Sequence, residues 1–213
     1  MIGLIQSAET FEVVSPSEAI LVEKNIEATS QGLAEYLTGL RPSEDSQQRS
    51  KLLIEQLGSD AFQVREQATP KLLNLPALPT ELLISAAEGD DPEIRMRAKR
   101  ILAVGKQEST RVMHAAFEVI AEEGITGVVP ELLAAIPLCD QRHLVTAARE
   151  ALSAALRAED ARALKVAGQH PNAEVRAAAP EALAVALRED AVAFLARLLE
   201  DEADQVRLAA ARR

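Results

Sequence analysis

The chain has 213 residues, of which 48% are hydrophobic but only 2% are aromatic, a composition that favours closely packed helices over an all-β domain. Its formal net charge of −10 would repel a polyanion, so we expect no nucleic-acid partner. No run is long and apolar enough to span a bilayer, so we also expect no membrane insertion.

The compartment is left open by the sequence. The single cysteine, Cys139, allows no internal disulfide, and Met1–Ile5 lacks the basic start and the sustained apolar stretch of a signal peptide. The chain is therefore expected to be cytoplasmic, or exported with its signal removed.

Residues 1–43 are predicted to form a non-repeat N-terminal segment with one or two helices. Ser15 is a suitable N-cap, Pro16 suits the first helical position and Glu18 suits the third, so a helix is expected to run to about Asn25. The stretch Thr10–Val14 before it is compatible with either strand or coil.

A second helix is predicted from Ser30 to Leu40, where Pro42 stops it and Ser43 caps the next one. From residue 44 onwards the predicted helices pair. The first helices of the pairs are expected at Ser50–Leu57, Glu81–Ala87, Pro130–Ile136, Ala161–Ala167 and Ala191–Leu199.

Each second helix carries a pattern in which an apolar residue is followed by Ala four positions later and by Leu eight positions later. These offsets share one face of an α-helix, and the small Ala lets a neighbouring helix approach closely. Stacking of the hairpins would then bury the apolar face that a single hairpin leaves exposed to water. The copies are Val64/Ala68/Leu72, Ile94/Ala98/Leu102, Leu144/Ala148/Leu152, Val175/Ala179/Leu183 and the incomplete Val206/Ala210.

One extra inserted helix is predicted at about Gln107–Glu122. It lies in the long interval between Ile94 and Leu144, whereas the other copies follow one another at about 30 residues. The insertion repeats the same offsets on a face of its own, formed by Val112/Ala116/Val119/Ile120. We expect it to interrupt the regular stack and to bend it.

The turns at 90–95, 171–176 and 202–207 resemble the inter-helix turns of HEAT repeats, and residues 57–66 are similar to the opening repeat of HEAT arrays in large bacterial multidomain proteins. The resemblance implies an all-α, right-handed α-solenoid of about five HEAT-type hairpins over residues 44–213, with the last repeat incomplete. It also implies an Asp–Arg ladder between neighbouring repeats. The matching residues are Asp60, Arg65, Asp91, Arg95, Arg176 and Arg207.

HEAT arrays are usually binding surfaces, so the predicted function is a non-catalytic protein–protein interaction scaffold within a larger polypeptide. A partner would bind the concave face of the second helices, where a basic stretch could hold an acidic peptide or a phosphate. The candidate partner-binding residues are Arg95, Arg97, Lys99, Arg100 and Arg111. Two alternatives stay open, a HEAT-like enzyme of the bilin lyase type and a purely structural spacer.

No catalytic, metal-binding or cofactor-binding residue is predicted. His114, His143 and His170 lie in no zinc-binding motif, and no cysteine pair accompanies them. Cys139 sits near a predicted helix start, where a thiol pKa can fall, but no base stands nearby in the sequence.

Overall fold

The structure, a computed structural model, describes residues 15–187 and 191–212, and these contain helices and turns but no strand. The predicted all-α class is therefore confirmed for the described residues, while the stretch Thr10–Val14 lies outside them. The helices are α1 (Pro16–Glu23), α2 (Ser30–Gly39), α3 (Glu44–Gln56), α4 (Phe62–Leu73), α5 (Thr80–Glu88), α6 (Pro92–Glu123), α7 (Val129–Ala135), α8 (Arg142–Ala155), α9 (Ala161–Ala167), α10 (Ala173–Leu187), α11 (Val192–Leu198) and α12 (Asp204–Ala211).

The capping residues start the helices where the sequence predicts. The Ser15 hydroxyl accepts a hydrogen bond from the backbone N–H of Glu18 at 3.1 Å, with Pro16 in the first turn of α1. Ser43 and Ser46 form a reciprocal capping box at the start of α3. Each bond satisfies a backbone donor that the helix itself leaves free, which fixes the helix start.

The repeated pattern marks the buried face of the second helices. Its middle alanine is buried in every copy: Ala68, Ala98, Ala148 and Ala179 are 0% exposed and Ala210 is 4% exposed. Each second helix also packs against the first helix before it, in the pairs α3 with α4, α5 with α6, α7 with α8, α9 with α10 and α11 with α12. The predicted phase of these helices is confirmed.

The prediction of a separate inserted helix is wrong. Residues 92–123 form one continuous helix of 32 residues, α6, which contains both the second copy of the pattern and the whole predicted insertion. Gly105 lies inside this helix, and a Cβ there would lie 2.9 Å from Leu78 Cδ2 and 3.3 Å from Leu73 Cδ2. The glycine therefore allows close approach of Leu73 at the end of α4 and of Leu78 in the segment after it.

Each of the two N-terminal helices packs mainly on a helix far along the chain. The buried residues of α1 and α2 share a core with residues 112–183, whereas residues 53–101 form a second core. Helix α1 packs against α6, and α2 packs against α7. The apolar face at 112–120 is therefore covered by α1 on one side and by α8 on the other. Helix α6 takes part in both cores.

Candidate functional site

The arginine that follows the apolar residue of the pattern closes the preceding turn. In four copies its Nη1 donates to the backbone carbonyls six and five residues earlier. For Arg176 these acceptors are His170 O and Pro171 O, both at 2.9 Å. Free turn carbonyls are thereby satisfied by a charged donor. The four arginines are Arg65, Arg95, Arg176 and Arg207.

Ion pairs also link successive hairpins. Arg65 Nε lies 3.6 Å from Glu93 Oε1, and Arg97 Nη2 lies 2.7 Å from Glu66 Oε1, so two pairs join α4 to α6. Arg149 Nη2 lies 2.8 Å from Glu174 Oε2 and joins α8 to α10.

The same type of link occurs after α10. Arg176 Nε lies 2.8 Å from Asp201 Oδ2 in the turn before α12. This guanidinium holds the pKa of Asp201 below its usual value, because the ionised carboxylate is the better hydrogen-bond acceptor.

The predicted Asp–Arg ladder is correct for some of its arginines, which form ion pairs between hairpins. It is wrong for its two aspartates. The Asp91 carboxylate caps α6 by accepting from the N–H groups of Glu93 at 2.8 Å and Ile94 at 3.0 Å, so it is used within its own hairpin. Asp60 contributes its backbone carbonyl to Arg65. The inter-hairpin carboxylates that pair with arginines are instead Glu66, Glu93 and Glu174 on second helices and Asp201 in the turn before α12.

Two more arginines of the pattern stay within their own hairpins in the described residues. Arg95 contacts the turn carbonyls of Gly89 and Asp90. Arg207 pairs with Asp204 of its own helix in addition to its turn contacts.

Several of the predicted partner-binding residues already form ion pairs or hydrogen bonds within the chain. Arg97 also donates to Glu93 Oε1 at 2.6 Å, which raises the pKa of its guanidinium further. Arg111 lies 2.8 Å from Glu108 and 3.0 Å from Glu23, which joins α6 to α1. These arginines, like Arg95, are engaged in contacts within the chain.

Lys99 and Arg100 differ from these arginines. Both are exposed, and neither forms an ion pair with any residue that the structure describes. Met96 and Val104 on the same helix are 58% and 51% exposed. With the exposed Ala103 these residues have helical offsets of 0, 3, 4, 7 and 8, so they form one continuous stripe.

We call this stripe of Met96, Lys99, Arg100, Ala103 and Val104 the α6 surface. Its apolar members were not predicted from the sequence. The helical period could have identified them, because their positions place them on the face of α6 opposite the buried Ala98 and Ile101.

The remaining candidates for a chemical role are the cysteine and the histidines, and the structure shows the surroundings of each. Burial, followed by the charges of Asp140 and Glu174, raises the pKa of the Cys139 thiol to about 12, which keeps it protonated at neutral pH. The ring centroids of His114 and His143 lie 5.4 Å apart. His170 Nδ1 accepts a bond within its own turn. Over residues 15–187 and 191–212, no group of three or more potential ligands is placed to hold a metal ion.

Comparison of the chain with protein-family models, with curated proteins and with solved structures gave no match. Among the helices of the described ranges, none combines the length and the apolar character that crossing a membrane requires. The class of protein is therefore defined by the fold itself, a chain of paired helices around two main helical cores.

Proposed function

We propose that the chain is a right-handed HEAT-type solenoid that acts as a non-catalytic protein–protein interaction scaffold. The α6 surface on a second helix is its binding site and lies on the concave face. The partner is an acidic, amphipathic segment of another protein. One observation carries the proposal: five neighbouring exposed positions on α6 combine apolar side chains with two cations that have no internal ion-pair partner in the described part of the chain.

The solenoid part of the proposal is supported by the regular connections between hairpins. The same arginine-to-turn contact occurs in four second helices, and ion pairs join α4 to α6, α8 to α10 and α10 to the turn before α12. A repeated contact of this kind is expected where equivalent units stack on their neighbours.

The choice of partner follows from charge and apolarity. Cationic side chains without an ion-pair partner inside the protein can attract a partner's carboxylates and raise the association rate. Exposed Met and Val side chains on the same stripe offer apolar area to the partner, and Met adapts to varied side chains. A helix with Glu and Leu on one face matches this surface in both respects.

The proposal is tested by measuring the affinity of the full chain for a synthetic helical peptide with Glu and Leu on one face. We expect the double variant Lys99→Glu/Arg100→Glu to weaken binding by about tenfold or more, because attraction becomes repulsion at two positions. A peptide with Lys in place of Glu should not bind the wild-type protein.

The matched control is Arg49→Glu/Lys51→Glu on α3, which changes the net charge equally at two exposed positions outside the α6 surface. It should bind the acidic peptide within about twofold of the wild type at moderate salt. Equal losses in both double variants would reduce the effect to general electrostatics and refute the α6 surface as the site.

A further inference from the structure

Helix α8 covers only the second half of the long helix α6. Gln141, which precedes α8, donates from its side-chain amide to Thr110 Oγ1 at 3.3 Å. The ring centroids of His143 and His114 lie 5.4 Å apart. Residue numbers rise together in the two helices, so α8 runs parallel to α6 and begins near its middle.

The α6 surface continues the face of α6 that α8 covers. In the turn before α8, Asp140 lies 2.8 Å from Lys106 Nζ. Ala103 and Lys99 lie three and seven positions before Lys106, so the three residues share one side of the helix. Both Ala103 and Lys99 are exposed in the structure as described. The covered face therefore becomes an open one just before Lys106.

The other edge of the α6 surface begins where α1 ends. Lys24, the residue after α1, lies 2.8 Å from Glu108 Oε1. Val104 and Arg100 lie four and eight positions before Glu108, on the same side of α6, and both are exposed. Two docked helices thus stop next to the α6 surface, and the gap beyond them is bounded on one side by α8.

The size of this gap sets the length of a helix that can fill it. Helix α6 begins at Pro92, and the turn before α8 meets it at Lys106. At 1.5 Å per residue this stretch of α6 is about 21 Å long, which matches a helix of about 14 residues. A longer helix on the same face would meet the turn before α8.

Charge selects the helix that can occupy the gap. Lys99 and Arg100 form no ion pair with a described residue, so the α6 surfaces of two copies of this chain would repel each other. Where two second helices already pack side by side, arginine meets glutamate, as in the pair of Arg149 and Glu174 at 2.8 Å. A helix that presents carboxylates to α6 satisfies the same rule.

The start of α8 favours one direction for the occupant. Gln141 gives no side-chain cap to the first N–H groups of α8. A helix parallel to α6 would bring its C-terminal carbonyls towards this positive end of the α8 dipole. An antiparallel helix would instead bring two positive helix ends together. The parallel direction is also the one that α8 itself adopts on α6.

We propose that the partner binds the α6 surface as a helix of about 14 residues that lies parallel to α6 and in line with α8. A glutamate of the partner pairs with Lys99, and apolar side chains cover Met96 and Ala103. This inference rests on the proposed function, because it specifies how the acidic, amphipathic partner lies on the same surface.

The direction is tested by nuclear magnetic resonance of the isotopically labelled full chain with a 14-residue helical peptide that carries Glu and Leu on one face. A nitroxide is attached to either end of the peptide. We expect the C-terminal label to broaden the amide signals of Gln141 and Arg142 more strongly, and the N-terminal label to broaden those of Glu93 and Ile94 more strongly.

The outcomes separate this inference from the proposed function. The reverse pattern of broadening, or equal broadening by both labels, overturns the parallel arrangement while the α6 surface remains the binding site. A peptide that does not bind the wild-type chain overturns both. Broadening confined to residues outside α6 and the start of α8 also overturns both.

Two single charge reversals test the position of the partner across the helix. Lys99 lies on the side that α8 covers further along α6, whereas Arg100 lies on the side that α1 covers. We expect Lys99→Glu to weaken peptide binding about fivefold or more and the matched variant Arg100→Glu about twofold. Equal losses, or a larger loss for Arg100→Glu, overturn the placement in line with α8.

A length series tests the fit to the gap. Peptides of 7, 14 and 21 residues are built from one repeated heptad and titrated calorimetrically. We expect the affinity to rise by about tenfold or more from 7 to 14 residues and by less than about twofold from 14 to 21. A continued steep rise to 21 residues would show that α8 does not limit the partner and would overturn the inference.

Discussion

Replacing Arg176 tests how the last hairpins are held to the rest of the chain. The side chain of Arg176 is 9% exposed and that of Asp201 is 11% exposed, so both charges are largely removed from water. The guanidinium also donates to the carbonyls of His170 and Pro171. The variant Arg176→Met keeps the apolar stem and leaves the carboxylate and two carbonyls without their charged donor.

The expected loss is about 3 kcal/mol in the free energy of unfolding, at the lower end for a buried pair because each group retains some contact with water. For a chain of this size it corresponds to a fall of about 6–12 °C in melting temperature. Thermal denaturation followed by circular dichroism measures it. Hydrogen exchange should also accelerate in α12, because the broken pair lies in the turn before that helix.

The control Arg142→Ala removes an exposed arginine from the first turn of α8 and should change stability by less than about 0.5 kcal/mol. The double variant Arg176→Met/Asp201→Asn should lose less stability than the two single variants together, because no uncompensated charge remains. If Arg176→Met unfolds at the temperature of the Arg142→Ala control, the pair contributes nothing and our reasoning about the link is wrong.

Three further predictions concern the core, an acidic group and the thiol. Ala179→Leu should overpack the buried face of α10 and cost about 1–3 kcal/mol in thermal or urea denaturation, whereas the exposed Ala193→Leu should be nearly neutral. Hydrogen bonds from cations lower the pKa of Glu108 from 4.5 to about 2, so its stabilisation is complete above pH 4.5 and disappears as the pH falls towards 2. The stability difference between wild type and Glu108→Gln should shrink across that window, and a difference independent of pH would contradict the assignment. Cys139, with its thiol pKa of about 12, should react slowly with iodoacetamide at pH 8 in the folded protein and quickly in urea; equal rates would show an accessible thiolate.

Local signals in the sequence predicted the helices well. Ser15 and Ser43 mark helix starts because a side-chain oxygen must satisfy the first free N–H groups, and α9 covers the predicted Ala161–Ala167. The buried alanines of the second helices follow from the helical period alone. Such features depend only on residues within a few turns of one another, which is the range over which a sequence pattern can be interpreted directly.

Contacts between distant segments were beyond this kind of inference. The apolar face at 112–120 showed that something must cover it, but the pattern could not identify α1 as the covering helix, since any amphipathic helix could do so. The same applies to the ladder: whether Arg65 meets Asp91 or Glu93 depends on how the two second helices are offset. The gap on the α6 surface likewise follows from where α8 docks along α6, which no local pattern specifies.

The position of α1 has a consequence for how the protein forms during translation. The Ser17 hydroxyl donates to Glu118, a residue 101 positions further along the chain. The first helices must therefore leave the ribosome and wait, with apolar side chains such as Leu21 unprotected, until α6 has been synthesised. High contact order at this junction slows its closure relative to the local pairing of adjacent hairpins. During that interval a nascent chain is open to capture by holdase chaperones.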